Sequence, residues 1–483
     1  MRRIVPLGAC LFLGGLAATA IACSDTTTEA PTETPEVDAG EEPDSGPIDA
    51  GGATDATADT GPKDAGPKDA GPPPLGAVTR VTTGSAHTCA LFSSGAVKCW
   101  GSNKYGQLGL GDTSNRGDAL GEMGSSLPTV DLGGTAVAVS AGGYHTCALL
   151  QGGAVKCWGL GGNGQLGLGY RVVIGDQPGE MGATLSAVDL GGTAVAIAAG
   201  FNHTCALLAG GGVKCWGTNS SGELGYGDTR ERGADFDMGN NLAIVSLGGR
   251  PTVDLVAGAS YTCALLDDGT VKCWGNNDGG QLGRGDTLAR GDSYNEMGIA
   301  LQAINLGGKR AKSIAAATAH VCAILEDDSL KCWGLNGDGQ LGLGDANGRG
   351  DNGGELGTAL PAVNLGGVGA ASVAGGSNYT CAALTDGAVK CWGANGRGQL
   401  GLENVTPRGA NVGDMAALPA LNFGGKKATA VSAGFGHTCA LLADATVKCW
   451  GYNSSGQLGV GDTSDRGDNA GEMTTLPAVS LGR

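Results

Sequence analysis

The sequence predicts an all-β fold, a seven-bladed β-propeller of four-stranded antiparallel blades that follows a disordered tether. The dipeptide Cys-Trp occurs seven times, always 58 or 59 residues after the previous copy. Each unit contains short runs of alternating apolar and polar residues, which are typical of half-buried strands. Glycine accounts for 93 of the 483 residues, too many for helix interiors and without the three-residue period of collagen. A ring of repeated small sheets fits all three observations.

The first 22 residues are predicted to be a lipoprotein signal peptide. Residues 1–3 are a basic start, and the clean apolar run, about residues 7–22, is too short for a confident membrane span. Residues 20–23 read Ala-Ile-Ala-Cys and resemble the lipobox of bacterial lipoproteins, although Ala20 stands where leucine is more usual. We therefore expect Cys23 to carry the lipid. The alternative is an ordinary signal peptide in which Cys23 is incidental.

Residues 23–74 are predicted to be a disordered tether. They consist mainly of Thr, Glu, Asp, Pro, Ala and Gly, so the segment cannot bury enough apolar surface to offset the entropy of ordering. The tether contains 13 acidic residues and two lysines, whereas residues 75–483 contain 34 acidic and 26 basic residues. Such an acidic chain is a poor candidate for binding nucleic acid.

Each unit contains a hairpin whose register predicts a disulfide. In the fourth unit, residues 262–266 and 270–274 form two strands joined by Asp-Asp-Gly, a three-residue loop that favours left-handed backbone at Gly269. This register places Cys263 opposite Cys273, within reach of a disulfide. The loop position is Gly in five units, Asp328 in the fifth and Ala445, the weakest match, in the seventh. Zinc is disfavoured because the two cysteines of a unit are too far apart for a zinc knuckle, and no cofactor is predicted.

The same spacing of ten residues gives seven predicted hairpin disulfides, which indicate an oxidising compartment outside the cytoplasm. The pairs are Cys89–Cys99, Cys147–Cys157, Cys205–Cys215, Cys263–Cys273, Cys322–Cys332, Cys381–Cys391 and Cys439–Cys449.

Two further strands complete the predicted blade. In the first complete copy, residues 128–132 (PTVDL) and 136–140 (AVAVS) alternate in polarity and are joined by Gly-Gly, a tight hairpin signal. The predicted order within a blade is therefore PxVxL, AVAV, HTCALL and VKCWG. With this order, residues 476–481 should pair with residues 78–83 and close the ring, which removes two open sheet edges.

The unit GxxHTCALxxxGxVKCWGxNxxGQLGxGD resembles the repeat of the regulator of chromosome condensation family, and the resemblance covers residues 75–483. It implies a seven-bladed propeller. Members include a nuclear exchange factor for a small GTPase, plant photoreceptors and secreted bacterial inhibitors of β-lactamase, so the resemblance implies a scaffold more than an activity. Exchange is disfavoured here by the export signal and the acidic tail. Photoreception is disfavoured because each blade holds a single tryptophan in the structural position.

The search for catalytic residues finds little outside the repeat. All five histidines occupy one repeat position (His87, His145, His203, His320 and His437), where units four and six have Tyr261 and Tyr379. A structural role is the simplest explanation, and no Ser-His-Asp or Cys-His set stands apart from the repeat.

The long loop after GQLG carries Asp112, Asp118 and Glu122 in the first unit, which could be read as ligands for calcium. Tyr170 and Leu402 replace the first aspartate in two units. Turn formation and Arg-Asp pairing between blades is the simpler interpretation. The triplet Arg-Gly-Asp begins at residues 116, 290, 349 and 466, and its resemblance to an adhesion motif carries little weight in a repeat rich in Gly and Asp.

One loop departs from the repeat and is the predicted partner contact. The second unit has Tyr170, Val172, Val173 and Ile174 where other units are polar, and Phe236 occupies a similar loop of the third unit. Apolar residues in a polar loop suggest a contact patch. Local packing of a divergent loop is the alternative.

The predicted function is a non-catalytic binding module that presents its loop faces to a protein or glycan partner. We expect a monomer, exported and held on the bacterial cell envelope, at the outer-membrane surface or in the periplasm, with the lipid as its membrane contact. The alternatives are guanine-nucleotide exchange and an enzyme with its site in the central channel. Such an enzyme requires polar side chains unique to one blade, and the sequence search identifies none.

Overall fold

The computed structural model describes residues 74–482, which form seven antiparallel sheets arranged as the blades of a β-propeller. The predicted signal peptide, Cys23 and the tether up to residue 73 lie outside the described residues. Within residues 74–482, helix is confined to Gly239–Asn241, Asp414–Ala417 and Glu472–Thr475. No helix in this part of the chain is long and apolar enough to cross a bilayer.

Each blade contains an inner, a middle and an outer strand, in chain order. The inner strands are Val78–Thr83, Ala136–Ala141, Ala194–Ala199, Thr252–Ala257, Ala311–Ala316, Ala370–Gly375 and Ala428–Ala433. The middle strands are His87–Phe92, His145–Leu150, His203–Leu208, Tyr261–Leu266, His320–Leu325, Tyr379–Leu384 and His437–Leu442. The outer strands are Val97–Gly101, Val155–Leu160, Val213–Gly217, Val271–Gly275, Leu330–Gly334, Val389–Gly393 and Val447–Gly451.

The hairpin between the middle and outer strands has the predicted register. In the fourth blade, Cys263 is paired with Cys273 and Leu265 with Val271. Gly269 in the loop has a left-handed backbone with φ of 78°. Ala445 adopts the same conformation with φ of 63°, so the register tolerates a side chain at this position.

All seven hairpins are closed by a disulfide between their own two cysteines, with the Cα atoms 4.0–4.1 Å apart. Every one of these cysteines is buried. The bridges therefore lie inside the blades, and they are typical of proteins from an oxidising compartment.

The PxVxL segments are not strands, which corrects the predicted composition of the blade. Six sheets have three strands, and residues 128–132 form no ladder. Val130 instead donates one backbone hydrogen bond to the carbonyl of Val97 on the outer strand, at 2.8 Å. Val130 and Leu132 are buried whereas Thr129 and Asp131 are exposed. The alternation in the sequence therefore reflects an extended segment whose alternate side chains pack against the blades.

The ring closes through the C-terminal segment, though not by the predicted strand pairing. Val479 donates its backbone N–H to Val447 of the seventh blade. The carbonyls of Ser480 and Leu481 accept from Gly124 N–H and from the Lys98 ammonium of the first blade, each at 2.9 Å. The segment therefore lies between the last and first blades, and the inner strand Val78–Thr83 pairs with its own middle strand.

Neighbouring blades are joined by a repeated pair of buried hydrogen bonds. The Trp158 indole N–H and the Thr146 hydroxyl both donate to the carbonyl of Gln107, at 3.0 and 2.9 Å. Gln107 belongs to the GQLG motif of the preceding blade, and all seven tryptophans make the equivalent contact. The GQLG motif therefore presents a carbonyl acceptor to the next blade.

Candidate binding site in the central channel

The inner strands of all seven blades line a central channel of about 800 Å³. Most of the side chains along it are Ala, Val, Ser and Thr. A volume in this range is typical of small-molecule sites, which are about 300–1,000 Å³.

Two charged residues break the uniform lining. Arg80 and Asp254 occupy the third position of the inner strands of blades one and four, and both line the channel. The other five blades have Ala138, Ala196, Ser313, Ser372 and Ala430 at this position. Burial raises the pKa of the Asp254 carboxyl, and the positive charge of Arg80 partly offsets that rise. The two charges therefore influence each other within an otherwise neutral channel.

One end of the channel is surrounded by the turns between inner and middle strands. Phe201 and Phe435 line the channel at this end, and Phe435 is 57% exposed. The ring of Phe201 packs edge-on against Tyr144, which packs edge-on against Tyr105, with centroid separations of 5.4 and 5.5 Å. The three rings form an aromatic row that connects the first three blades, and Phe201 is the member of the row that lines the channel.

The five repeat histidines are buried structural residues, as the sequence suggested. The Nε2 atom of His87 lies 2.9 Å from the Thr146 hydroxyl of the next blade. Because Thr146 donates its own hydrogen to Gln107, the hydroxyl accepts from Nε2–H. The same geometry recurs at the other four histidines. Within residues 74–482, the Nδ1 atom of each ring has no hydrogen-bond partner.

Burial strongly disfavours the charged imidazolium at these positions. It lowers the pKa of His87 and His203 to about 4, and the pKa of His145, His320 and His437 to about 3. None of the five histidines lines the channel. They are therefore neutral interblade contacts at physiological pH and not acid–base groups at the channel surface.

The acidic residues of the long loop have structural partners. Asp112 forms an ion pair with Arg116 at 2.6 Å, and four other blades repeat this pair. These five pairs lie within one loop each, whereas the expected pairing between blades occurs at Arg397 and Asp465, 3.7 Å apart. Glu122 accepts backbone hydrogen bonds from Gly117 and Ala119, at 2.8 and 3.0 Å. Within residues 74–482, no group of three or more His, Cys, Asp or Glu side chains is placed to hold a metal ion.

The loop of the sixth unit is aligned differently from our expectation. The backbone carbonyl of Asn404 accepts from Asn395, as that of Asp112 accepts from Asn103. Asn404, and not Leu402, therefore occupies the first aspartate position.

The Arg-Gly-Asp triplets form part of the framework. Arg116 forms a two-stranded bridge with Gly101, and Gly117, at φ of 91°, accepts from Gly461 N–H in the neighbouring blade. Similar bridges anchor Arg290, Arg349 and Arg466. An arginine held in this way is not free to extend toward a receptor.

The predicted contact patch in the second unit is divided between the core and the surface. Val173–Ile174 adds a fourth strand to the second blade, and Val172 and Ile174 pack against buried core residues. Tyr170 is 47% exposed and Phe236 is 79% exposed. Val172 and Ile174 therefore fit the alternative of local packing, whereas the two aromatic side chains are accessible.

The sequence reasoning missed Arg80, Asp254 and the aromatic row. Arg80 and Asp254 would have been visible in a comparison of the third residue of the seven inner strands. The aromatic residues lie outside the strands, where alternation of polarity gives no signal.

The fold and the channel define a class of protein: a disulfide-bonded seven-bladed propeller with a central channel lined by its inner strands. Residues 124–480 match the model of the RCC1-like domain family, and residues 78–107 and 94–149 match models of the regulator of chromosome condensation (RCC1) repeat. The chain belongs to this family.

Relatives in this family have diverse activities. The chain is 30% identical over 388 residues to the ultraviolet-B receptor UVR8 of Arabidopsis thaliana, covering 80% of this chain and 79% of the receptor. It is 28% identical over 353 residues to the human E3 ubiquitin-protein ligase HERC2, covering 73% of this chain but 7% of the ligase. The match to HERC2 therefore concerns a small part of that protein.

Solved structures support the fold. Prp20p from Saccharomyces cerevisiae, studied for its binding to Gsp1p and histones, superposes with a TM-score of 0.59 at 22% identity, covering 84% of this chain and 87% of that one. Yeast RCC1 (Prp20) bound to Kap60 gives the same TM-score at 23% identity, covering 81% and 84%. At this level of identity the similarity concerns the fold.

Proposed function

We propose that this protein is an exported, non-catalytic binding module that presents the channel entrance to a protein or glycan partner. The observation that carries the proposal is the row of Tyr105, Tyr144 and Phe201 with Phe435 beside the channel. Aromatic side chains supply large contact areas with little loss of conformational entropy, and they are enriched at binding hot spots.

These aromatic residues are not required by the propeller itself. The position of Phe201 and Phe435 is Ser85 and Ser377 in two other blades, and the position of Tyr144 is Asn202 and Asn378. The fold therefore accepts small polar residues at the same turns. Their presence at the entrance is better explained by contact with a partner.

A variant based on these equivalents tests the proposal. Tyr144→Asn, Phe201→Ser and Phe435→Ser together should preserve the fold, as judged by thermal unfolding, while lowering partner affinity at least tenfold. The immobilised protein would be probed with crosslinked envelope extract and with a glycan panel, which distinguishes the two kinds of partner. Leu120→Ala is the control, because Leu120 is 91% exposed in the long loop. Equal affinity of the triple variant, or no partner from either source, would overturn the proposal.

The earlier candidate patch is a poor basis for such a test. Changing Val172, Val173 and Ile174 to serine would remove two side chains, Val172 and Ile174, that pack against the core, so lost binding would not be distinguishable from lost structure.

The proposed location depends on residues outside the described part of the chain. We propose that Cys23 carries a lipid and that residues 23–74 act as a spacer to the envelope. Metabolic labelling with a palmitate analogue should mark the protein, and Cys23→Ala should abolish the label. Cys10→Ala is the control, since Cys10 lies within the predicted signal peptide. Unchanged labelling of the Cys23 variant would overturn this assignment.

Two alternatives are less well supported. Arg80 and Asp254 are the blade-specific polar side chains that an enzyme in the channel would require, but among the described lining residues no histidine, cysteine or lysine stands beside them, which disfavours a nucleophile or a general base of these types. Guanine-nucleotide exchange requires the cytoplasm or nucleus, where structural disulfides are rare. Mass spectrometry of the unreduced protein tests this point, because free thiols within residues 75–483 would favour an intracellular role.

A further inference from the structure

The central channel contains two opposite charges that are not paired directly. Arg80 and Asp254 line the channel from inner strands three blades apart in a ring of seven. Within residues 74–482, the ion pairs below 4 Å include neither residue. Asp254 accepts a hydrogen bond from the Leu255 N–H, at 2.9 Å. Both side chains therefore retain capacity for a ligand.

The neighbouring hydroxyl groups are already used between blades. Thr83 bonds to Ser432 at 2.8 Å, and Ser140 accepts from the Ala199 N–H at 3.0 Å. Thr82 accepts from the Ala141 N–H at 3.3 Å. Because Ser140 and Thr82 act as acceptors in these contacts, their hydroxyl hydrogens can still be donated to a ligand, and the two charges would supply the ionic contacts.

The two charges are not needed to build the ring. Ala138, Ala196 and Ala430 occupy the same position in other blades, so an inner strand folds with a methyl group there. Partial burial of the Asp254 carboxylate disfavours its charged form unless a hydrogen bond or a counter-charge compensates for it. Arg80 supplies part of that compensation.

We propose that the channel binds a small zwitterion, with its carboxylate at the Arg80 guanidinium and its ammonium at the Asp254 carboxylate. Free amino acids, ω-amino acids and short peptides share this chemistry. The guanidinium suits a carboxylate because its N–H groups can donate in pairs. The volume of about 800 Å³ accommodates such molecules. This inference does not depend on the partner proposed for the channel entrance.

Isothermal titration calorimetry with zwitterions of increasing length tests the proposal. Glycine, γ-aminobutyrate, 6-aminohexanoate and triglycine vary the separation of the two charges, and propionate and propylamine carry one charge each. We expect one length to bind best, and at least tenfold more tightly than either singly charged compound. Failure of all four zwitterions to bind the unaltered protein would overturn the proposal.

Two substitutions then test whether Arg80 and Asp254 are the groups that bind the zwitterion. Arg80→Ala and Asp254→Ala should each weaken binding of the preferred zwitterion at least tenfold, with melting temperatures close to that of the unaltered protein. Lys312→Ala is the matched control, because it removes a charge from an inner strand without altering the channel lining. Binding that survives both channel substitutions, or that is lost equally in the control, would also contradict the assignment.

Discussion

The five buried histidines predict an unusual loss of stability in mild acid. Each imidazole is neutral in the folded protein because burial lowers its pKa from 6.5 to about 4 or about 3. In the unfolded chain the same groups take up protons near pH 6.5. The unfolded state therefore binds more protons between these values, and stability falls as the pH drops through that interval.

The magnitude follows from the difference between the two pKa values. For a histidine whose pKa is 6.5 unfolded and about 4 folded, lowering the pH from 7 to 5 removes about 2 kcal/mol of stability. Five such groups together remove roughly 10 kcal/mol, which is comparable with the whole free energy of unfolding of a typical domain. The loss should begin as the pH falls to about 6.5 and continue until it reaches the folded pKa of about 4 or about 3.

His145→Tyr tests the cause in a matched environment. Tyr379 occupies the same position in the sixth blade, where it donates to the carbonyl of His437 at 2.6 Å and accepts from Thr438. The blade after His145 offers the equivalent residues His203 and Thr204.

We would measure denaturant unfolding with intact disulfides at several pH values between 7 and 5. The variant should lose about 2 kcal/mol less than the unaltered protein across this interval. Carboxyl groups that titrate in the same interval contribute equally to both proteins and cancel in the comparison. Parallel pH dependences of the two proteins would refute the reasoning.

Three further substitutions test the framework by urea unfolding. Ala445→Gly should stabilise the protein by about 1 kcal/mol, since it relieves a left-handed backbone at φ of 63°; a destabilised variant would contradict the hairpin conformation. Trp274→Phe should destabilise by about 1–3 kcal/mol, because it removes a hydrogen bond to the Glu223 carbonyl and leaves a cavity; an unchanged midpoint would mean that this interblade contact is dispensable. Replacing Cys263 and Cys273 together by alanine should lower the free energy of unfolding by about 3 kcal/mol in the chain-entropy model. A much smaller loss would contradict the view that the bridge stabilises the protein by restricting the unfolded chain.

The repeated hairpin was predictable because its constraints are local. Strand alternation, a loop with a residue suited to φ above zero and two cysteines ten residues apart leave one register that satisfies all three. The structure has this pairing at Cys263 and Cys273. Repetition of the same pattern in seven units also identified the number of blades.

The fourth strand was not predictable from alternation alone. Residues 128–132 alternate like a strand, but Val130 makes one hydrogen bond to the outer strand and the segment continues into the interface with the next blade. An extended segment that packs on one side has the same period as a strand in a ladder. Alternation of apolar and polar residues indicates which side chains are buried, but it does not indicate which backbone groups form hydrogen bonds.

The candidate site was missed for a related reason. Repetition was used to recognise architecture, whereas a site in a repeat protein lies where equivalent positions differ. Arg80 and Asp254 are the two charges among seven equivalent positions whose other members are alanine or serine. Neither residue stands out in its own strand, and their shared position at the channel becomes apparent when the strands form a ring.

Comparison of equivalent positions in the seven blades also distinguishes side chains that hold the ring together from side chains that are not needed for the ring. The histidines, tryptophans and Arg-Asp pairs recur from blade to blade, and each has a partner in the framework. The aromatic row and the channel charges occur in single blades where small residues stand at equivalent positions. Because a ring of similar blades needs similar contacts at every interface, departures that face the channel are not explained by ring assembly. The residues that the architecture does not require are therefore the ones on which the two proposed binding functions depend.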